Sequence, residues 1–444
     1  MGGGKAYLPG DMAEGARSGK WRRWIGRSVA LLIVLAAVLI VTLPLWVRAL
    51  GGASAWTLVD DPEGLSPGAR ALLEETLADL DPALTFDFHT HLAGIGDGSD
   101  CWVNPRLRSW WHPMEHLRFL IYLSAAGVDR DANPADAQTA PAAAGLDILF
   151  VDQLVRLAGA LPGHGRHLLL AFDHRHDEQG RVDLEHSEFF VSNEAMWAAV
   201  GRAPELFVPC ISVHPYRDDA LAELGRWADQ GVRFVKWLPN AMGIDPASER
   251  CDAFFELMVE RDMVLITHTG LERAVDAEED QELGNPLRLR RALGHGLKVI
   301  AAHCASSGDG DDLDRPGQRV PNFDLFMRLM DEPASQGLLF GDISTVTQVN
   351  RFGSALEALL LRPDLHRRLV NGSDWPLPGI NALYSTWLLR RAGFLTEAES
   401  AHLAELYDYS PLVFDLALKR TVHAPGTTQR FGASVFEAPQ ALLP

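Results

Sequence analysis

An α/β fold of the (β/α)₈ TIM-barrel class is predicted by three features of the 444-residue sequence. Eight short apolar runs alternate with stretches of helical spacing, the pattern of strands buried on both faces of a parallel sheet. Histidines and a carboxylate stand where several of these runs end, and a barrel builds its active site at the C-terminal ends of its strands. No GxGxxG follows the first run, so the rival doubly wound open sheet lacks its fingerprint.

Taken in order, residues 1–27 form a basic tail with Lys20, Arg22, Arg23 and Arg27. Ser28 to Trp46 then runs 19 residues without a charge, enough to cross a bilayer core. A single-pass anchor over residues 28–47 is therefore expected. By the positive-inside rule the tail stays cytoplasmic and the rest faces the periplasmic side of the inner membrane. The rival is a cleaved signal peptide, with Ala53-Ser54-Ala55 as its small-residue site. Residues 48–83 read as linker and leading helix, Pro67 to Leu80, capped by Ser66.

The barrel is expected over residues 84–420. Its strands are Leu84–Leu92, Leu168–Asp173, Leu206–His214, Val232–Leu238, Val264–His268, Val299–His303, Leu338–Ile343 and Leu369–Asp374. The segments between them have helical spacing from Leu146 to Ala392. Residues 93–145 form a lid-like insertion after the first strand, first rich in Trp (Trp102, Trp110, Trp111) and then loose and Ala/Pro-rich. Residues 421–444 read as an irregular surface tail.

The formal charge of −19 is uneven: the first 50 residues are basic, which leaves about −24 on the rest. An acidic body argues against a nucleic-acid partner. Four cysteines form no CxxC pattern; Cys210 and Cys304 sit inside strands, and export would permit a Cys101–Cys251 bridge.

In FDFHTHL, His89 and His91 stand one residue apart on a strand, so they share a face and can share an ion. His268 in VLITHTG, His303 in VIAAHCAS and Asp374 in LVNGSDWP end three other runs. Imidazole and carboxylate suit zinc first, with manganese or iron as alternatives, in one or two ions. Asp374 can bind metal and accept a proton from an activated water, and His303 can ligate a second ion or polarise a carbonyl. Lys236 in FVKWLP is buried, so it must be paired, deprotonated or modified; a carbamate bridging two metals and a contact to a substrate carboxylate both remain open. His174 and His176 form a second HxH among charged residues and read as an exposed loop. His214 stands near the mouth as a substrate contact. Trp102 and Trp110 are candidates for an aromatic substrate wall, with Arg106 or Arg108 to hold a carboxylate.

FDFHTH, VKWLP followed by GIDP, ITHTG, AAHCAS and NGSDWPLP, in that order, resemble the amidohydrolase superfamily, in particular its amidohydrolase-related branch of metal-dependent TIM-barrel hydrolases and decarboxylases. The closing YDYSPLVFDLALKR is similar to the helix that ends many members, with Ser410 where Asn is more usual. The resemblance covers residues 84–420. It implies that His89, His91 and His268 bind metal, that Asp374 binds metal and activates water, that His303 is a second-site ligand or substrate-polarising group, and that Lys236 occupies the fourth-strand position of a carboxylated bridge. The expectation is a metal-dependent hydrolase of an amide, lactone or ester bond in a small molecule. A non-oxidative decarboxylase of aromatic or enoic acids is the alternative, and a non-catalytic membrane-anchored binding protein is a third. Expected partners are a small-molecule substrate and the membrane, not nucleic acid, with a homo-oligomer left open.

Overall fold

The computed structural model describes residues 61–128, 145–161 and 165–443, with scattered positions before residue 52. Eight parallel strands form one sheet in sequence order: β1 (Phe86–His91), β2 (Arg166–Leu170), β3 (Phe207–Ile211), β4 (Phe234–Trp237), β5 (Val264–Thr267), β6 (Lys298–Ala301), β7 (Leu339–Asp342) and β8 (Leu369–Val370). Each overlaps one of the eight predicted runs. The sheet closes on itself where β1 meets the chain leaving β8. Phe88 N–H donates to Asn371 O at 2.8 Å and His91 N–H to Trp375 O at 3.0 Å, so the architecture is a (β/α)₈ barrel.

Period-two alternation sorts the side chains. Leu168, Leu170, Phe234, Ile266, Ile300, Phe340 and Val370 fill the barrel interior. Leu169, Val235, Leu265 and Val299 face outward into a second, larger core under the helices. The same alternation carries Lys236 inward after Phe234, His268 after Ile266, and Asp342 after Phe340. β1 departs from it. Its register against β2 shifts between Asp87 and Thr90, so Phe88 and His89 both turn inward while Asp87 and Thr90 meet His167 on the outside. A local irregularity of this kind re-aims a side chain toward a site.

The helices α1 (Pro67–Leu77), α2 (Pro113–Ala125), α3 (Leu146–Ala158), α4 (Asn193–Arg202), α5 (Ala220–Asp229), α6 (Asp252–Glu260), α7 (Asn322–Asp331), α8 (Ser354–Leu360), α9 (Glu397–Tyr409) and α10 (Pro411–Thr421) include those that cover the barrel. Ser66 caps α1 as expected, accepting from Ala69 N–H at 3.2 Å.

Three expectations change. The insertion after β1 is built, with Trp102–Val103 paired antiparallel to Phe189–Phe190 and α2 lying over the barrel mouth. Its Asp129–Ala144 half lies outside the described residues. The chain after Arg420 is not loose surface: Phe86 N–H donates to Phe436 O at 2.9 Å and Ala438 N–H to Leu84 O at 2.7 Å. Ala438 and Leu442 thereby pack into the interior cluster. All four cysteines are buried and free, so Cys101 and Cys251 are not bridged. The expected anchor over residues 28–47 falls largely outside the described residues, and among the described residues no helix is long and apolar enough to cross a membrane.

Candidate metal centre

The strand ends bring six predicted residues to one point on the barrel axis. His89 Nε2 lies 3.1 Å from His91 Nε2 and 3.3 Å from Asp374 Oδ1, which is also 3.3 Å from His91 Nε2. His303 Nε2 is 3.9 Å from Asp374 Oδ2. Rings of His303 and His268 meet edge to face at 5.0 Å, and Lys236 Nζ reaches His89 Nε2 at 3.1 Å.

A polar chain behind the rings sets their tautomers. His89 Nδ1 donates to Asp342 Oδ2 at 2.6 Å. His303 Nδ1 donates to Ser344 Oγ at 2.7 Å, and Ser344 Oγ donates in turn to Asp342 Oδ2 at 2.7 Å. With both Nδ1–H groups committed outward, both Nε2 lone pairs face the centre, the arrangement carboxylate–histidine pairs give metal ligands. Burial and the Lys236 charge hold His89 well below the usual imidazole range. Burial and the Arg351 charge do the same for His303, and burial brings His268 to about 4. Burial alone would raise Asp374, but His89, His91 and Lys236 bring it to about 2. The result is that His89, His268 and His303 are neutral beside an ionised Asp374.

These residues fit a divalent ion. Donor atoms of His89, His91 and Asp374 lie within 4.8 Å of one another. Both ring nitrogens of His268 are buried without a hydrogen-bond partner, although Glu272 Oε2 is 3.2 Å from its Nδ1. His89 Nε2 and His91 Nε2 face one another at 3.1 Å beside an orphaned His268 imidazole, a set of donor atoms that a cation would complete.

Two of these residues are held in the left-handed region, His303 at φ 60° and Asp374 at φ 59°. Such conformations cost about 1–3 kcal/mol each and cluster at functional sites. For His303 the turn matters directly: continued extension of β6 would place it outside. Asp374 is held by its own N–H donating to His89 O at 2.6 Å.

Above this floor lies a cavity of ≈ 150 Å³, lined by His89, His91, His268, His303 and Asp374 and by the rings of Phe119, Tyr122, Phe150, Phe172 and Phe189. The expected Trp wall is absent from that lining. Trp110 and Trp111 are 63% and 92% exposed. Trp102 is held in the ribbon with Phe190, its ring against His174. Arg106 donates to Glu185 O at 2.9 Å and lies 3.6 Å from Asp276. His214 is fully buried, its Nε2 donating to Met242 O and its Nδ1 accepting from Tyr216 N–H, so neither nitrogen is left for a ligand. His176 is buried and His174 stacks on Phe190, so the second HxH is packed rather than exposed. Asp342, Ser344 and Glu272 escaped the sequence reading. For Asp342 a signal existed: it is the one charge in the apolar run LLFGDI.

A family model described as Amidohydrolase matches residues 86–405. Among curated proteins no relative matches significantly. Similar solved structures include an uncharacterised TIM-barrel protein from Bordetella bronchiseptica (15% identity, 75% of this chain and 99% of that one, TM-score 0.45). Others are 5-carboxyvanillate decarboxylase from Sphingomonas paucimobilis (12%, 80% and 96%, 0.40) and 4-oxalomesaconate hydratase from Rhodopseudomonas palustris (12%, 76% and 93%, 0.39).

Proposed function

The chain belongs to the amidohydrolase family, and from that membership we propose that it is a metal-dependent hydrolase acting on an amide, lactone or ester bond of a small, largely apolar molecule. The observation that carries the proposal is the convergence of His89, His91 and Asp374, with His268 and His303 beside them, on the floor of an aromatic cavity. His89, His91 and Asp374 would hold the ion, with His268 or His303 completing it or serving a second; zinc is proposed first, manganese or iron next. When bound, such an ion supplies a Lewis acid that polarises a carbonyl and brings the pKa of water to about 7.

The chain's own residues do the rest. Asp374, ionised and held by its strained turn, can take a proton at Oδ2 and return it to the leaving group. His303, fixed by Ser344, holds its Nε2 lone pair toward the site, where it can serve as a ligand. The rings of Phe119, Phe172 and Phe189 keep bulk water from the reacting atoms. Asp374→Asn, reloaded with excess metal to offset the weakened ligand set, should lose roughly 10²–10⁴-fold in turnover of aryl esters, lactones or anilides. Unchanged turnover in a metal-bearing variant would sink the mechanism.

The apolar lining also favours a second reading, decarboxylation, since a dry pocket destabilises a substrate carboxylate relative to neutral CO₂. Release of CO₂ from a panel of aromatic acids, with no ester or lactone turnover, would select it. Placement at the inner membrane with the barrel on the periplasmic side is proposed from residues 28–46 of the sequence alone.

A further inference from the structure

Helix α2, which walls the cavity, has a second apolar side that the barrel does not bury. Phe119, Tyr122, Leu123 and Ala126 face the cavity. By the 3.6-residue period, Met114, Leu117 and Ile121 stand on the opposite side of the helix. Leu117 and Ile121 are half-buried and Met114 is 72% exposed. Trp110 and Trp111 lead into the helix, the first with its ring against His116 and the second almost fully in solvent. Two tryptophans and a methionine exposed together form a patch of the kind that marks an interaction site.

Charge and continuity both point to a lipid surface. The chain beyond residue 50 carries about −24, yet residues 105–118 hold Arg106, Arg108 and Arg118 against Glu115 alone. Tryptophan beside arginine suits the headgroup level of a bilayer, where the ring is half wet and the guanidinium meets anionic lipid. The uncharged residues 28–46 lead into Val47 and Gly51, both buried, and Gly51 is packed so close to α2 that a Cβ there would stand 2.5 Å from Ser124 Cβ. With 13 residues, α2 is about 20 Å long. A membrane crossed by residues 28–46 would therefore have its surface alongside α2, in reach of Trp110 and Trp111.

We propose that the barrel mouth docks on the bilayer, with Trp110, Trp111 and Met114 seated in its interfacial layer, and that the cavity takes a lipophilic substrate from the membrane rather than from water. Helix α2 then touches lipid with one side and substrate with the other, and Phe119, Phe172 and Phe189 continue the apolar path inward. The docking rests on the membrane placement of residues 28–46. The substrate class rests on the hydrolase proposal and narrows it to membrane-partitioned esters, amides or lactones.

The test reconstitutes the full chain in vesicles of phosphatidylethanolamine and phosphatidylglycerol and reads an environment-sensitive fluorophore attached at Trp111→Cys, the native cysteines being buried. Leu361→Cys, exposed just beyond α8 at the opposite end of the barrel, is the control. At Trp111→Cys the emission should shift to the blue and be quenched severalfold by lipids spin-labelled near the headgroup, and at Leu361→Cys neither should happen. Shielding that disappears as the chain is diluted in lipid would mean that a second copy covers the patch, which overturns the docking. An unshielded Trp111→Cys, or a full chain that does not associate with the vesicles, overturns it equally. Trp110→Ser, Trp111→Ser and Met114→Ser combined should lower turnover of vesicle-borne nitrophenyl decanoate severalfold and leave soluble nitrophenyl acetate unchanged. Equal loss on both esters, or loss on neither, overturns the membrane-drawn substrate. A lipid-shielded Trp111→Cys in a protein that turns over neither ester keeps the docked mouth and removes the hydrolase proposal.

Discussion

Two imidazoles at the centre, His89 and His303, are specified twice, once by the chain segment that carries them and once by the polar group behind the ring. For His89 that group is Asp342, fully buried and held by Ser344 N–H at 2.6 Å as well as by the Ser344 hydroxyl. Asp342→Asn replaces an acceptor pair with an amide that can present N–H to His89 Nδ1, favouring the tautomer whose lone pair points away from the centre. Metal affinity should fall about 10–100-fold, the usual effect of removing a carboxylate behind a ligating histidine. Titration of the chelated protein with zinc would show it, and unaltered affinity would mean His89 is oriented by packing alone. His89 and His91 were legible from their spacing. Asp342 stood out only as the one charge in an apolar run, and its role depends on a partner 253 residues away.

At the scale of elements, α10 supports the turn that presents Asp374. Lys419, fully buried in α10, donates to Gly372 O at 2.6 Å and to Asp415 Oδ2 at 2.5 Å. Gly372 itself lies so close to Asp342 and His89 that a Cβ there would stand 2.5 Å from Asp342 Oδ1. The helix thus fixes the strand-to-turn segment from behind while the histidines hold it from the front. Lys419→Met should cost roughly 3–5 kcal/mol by stranding Asp415 in the interior, and Asp415→Leu added to it should recover most of the loss. Denaturant midpoints of the single and double variants measure this; an additive double variant would show that the two charges act independently. The sequence marked this segment as a helix, but an i,i+4 Lys–Asp pair reads as a solvated surface pair until the barrel is closed around it.

For the whole molecule, closure of the barrel concentrates on Asp87, which faces outward at the seam. It accepts from His89 N–H and Ser373 N–H, both at 2.9 Å, and lies 3.3 Å from His167 Nδ1, joining β1, β2 and the chain leaving β8. Burial alone would raise its pKa, but His167 and the two backbone donors bring it to about 2. A carboxyl lowered by folding stabilises fully above its unfolded pKa, and that share is lost as pH falls through about 4 toward 2. It amounts to about 2 kcal/mol. Asp87→Asn should therefore be less stable than wild type at pH 7, with the gap narrowing below pH 4 in urea titrations; a gap constant with pH would refute the role. Sequence alone determined the eight strands, the barrel class and the histidines and Asp374 at the strand ends, because apolar runs and HxH spacing are properties of neighbouring residues. Only the tertiary structure decided that His89 turns inward through a register shift in β1, that Phe119, Phe172 and Phe189 rather than Trp102 and Trp110 wall the cavity, and that the C-terminal tail plugs the barrel. Each of those depends on which distant segments meet once the sheet closes, and no local pattern in the chain encodes that meeting.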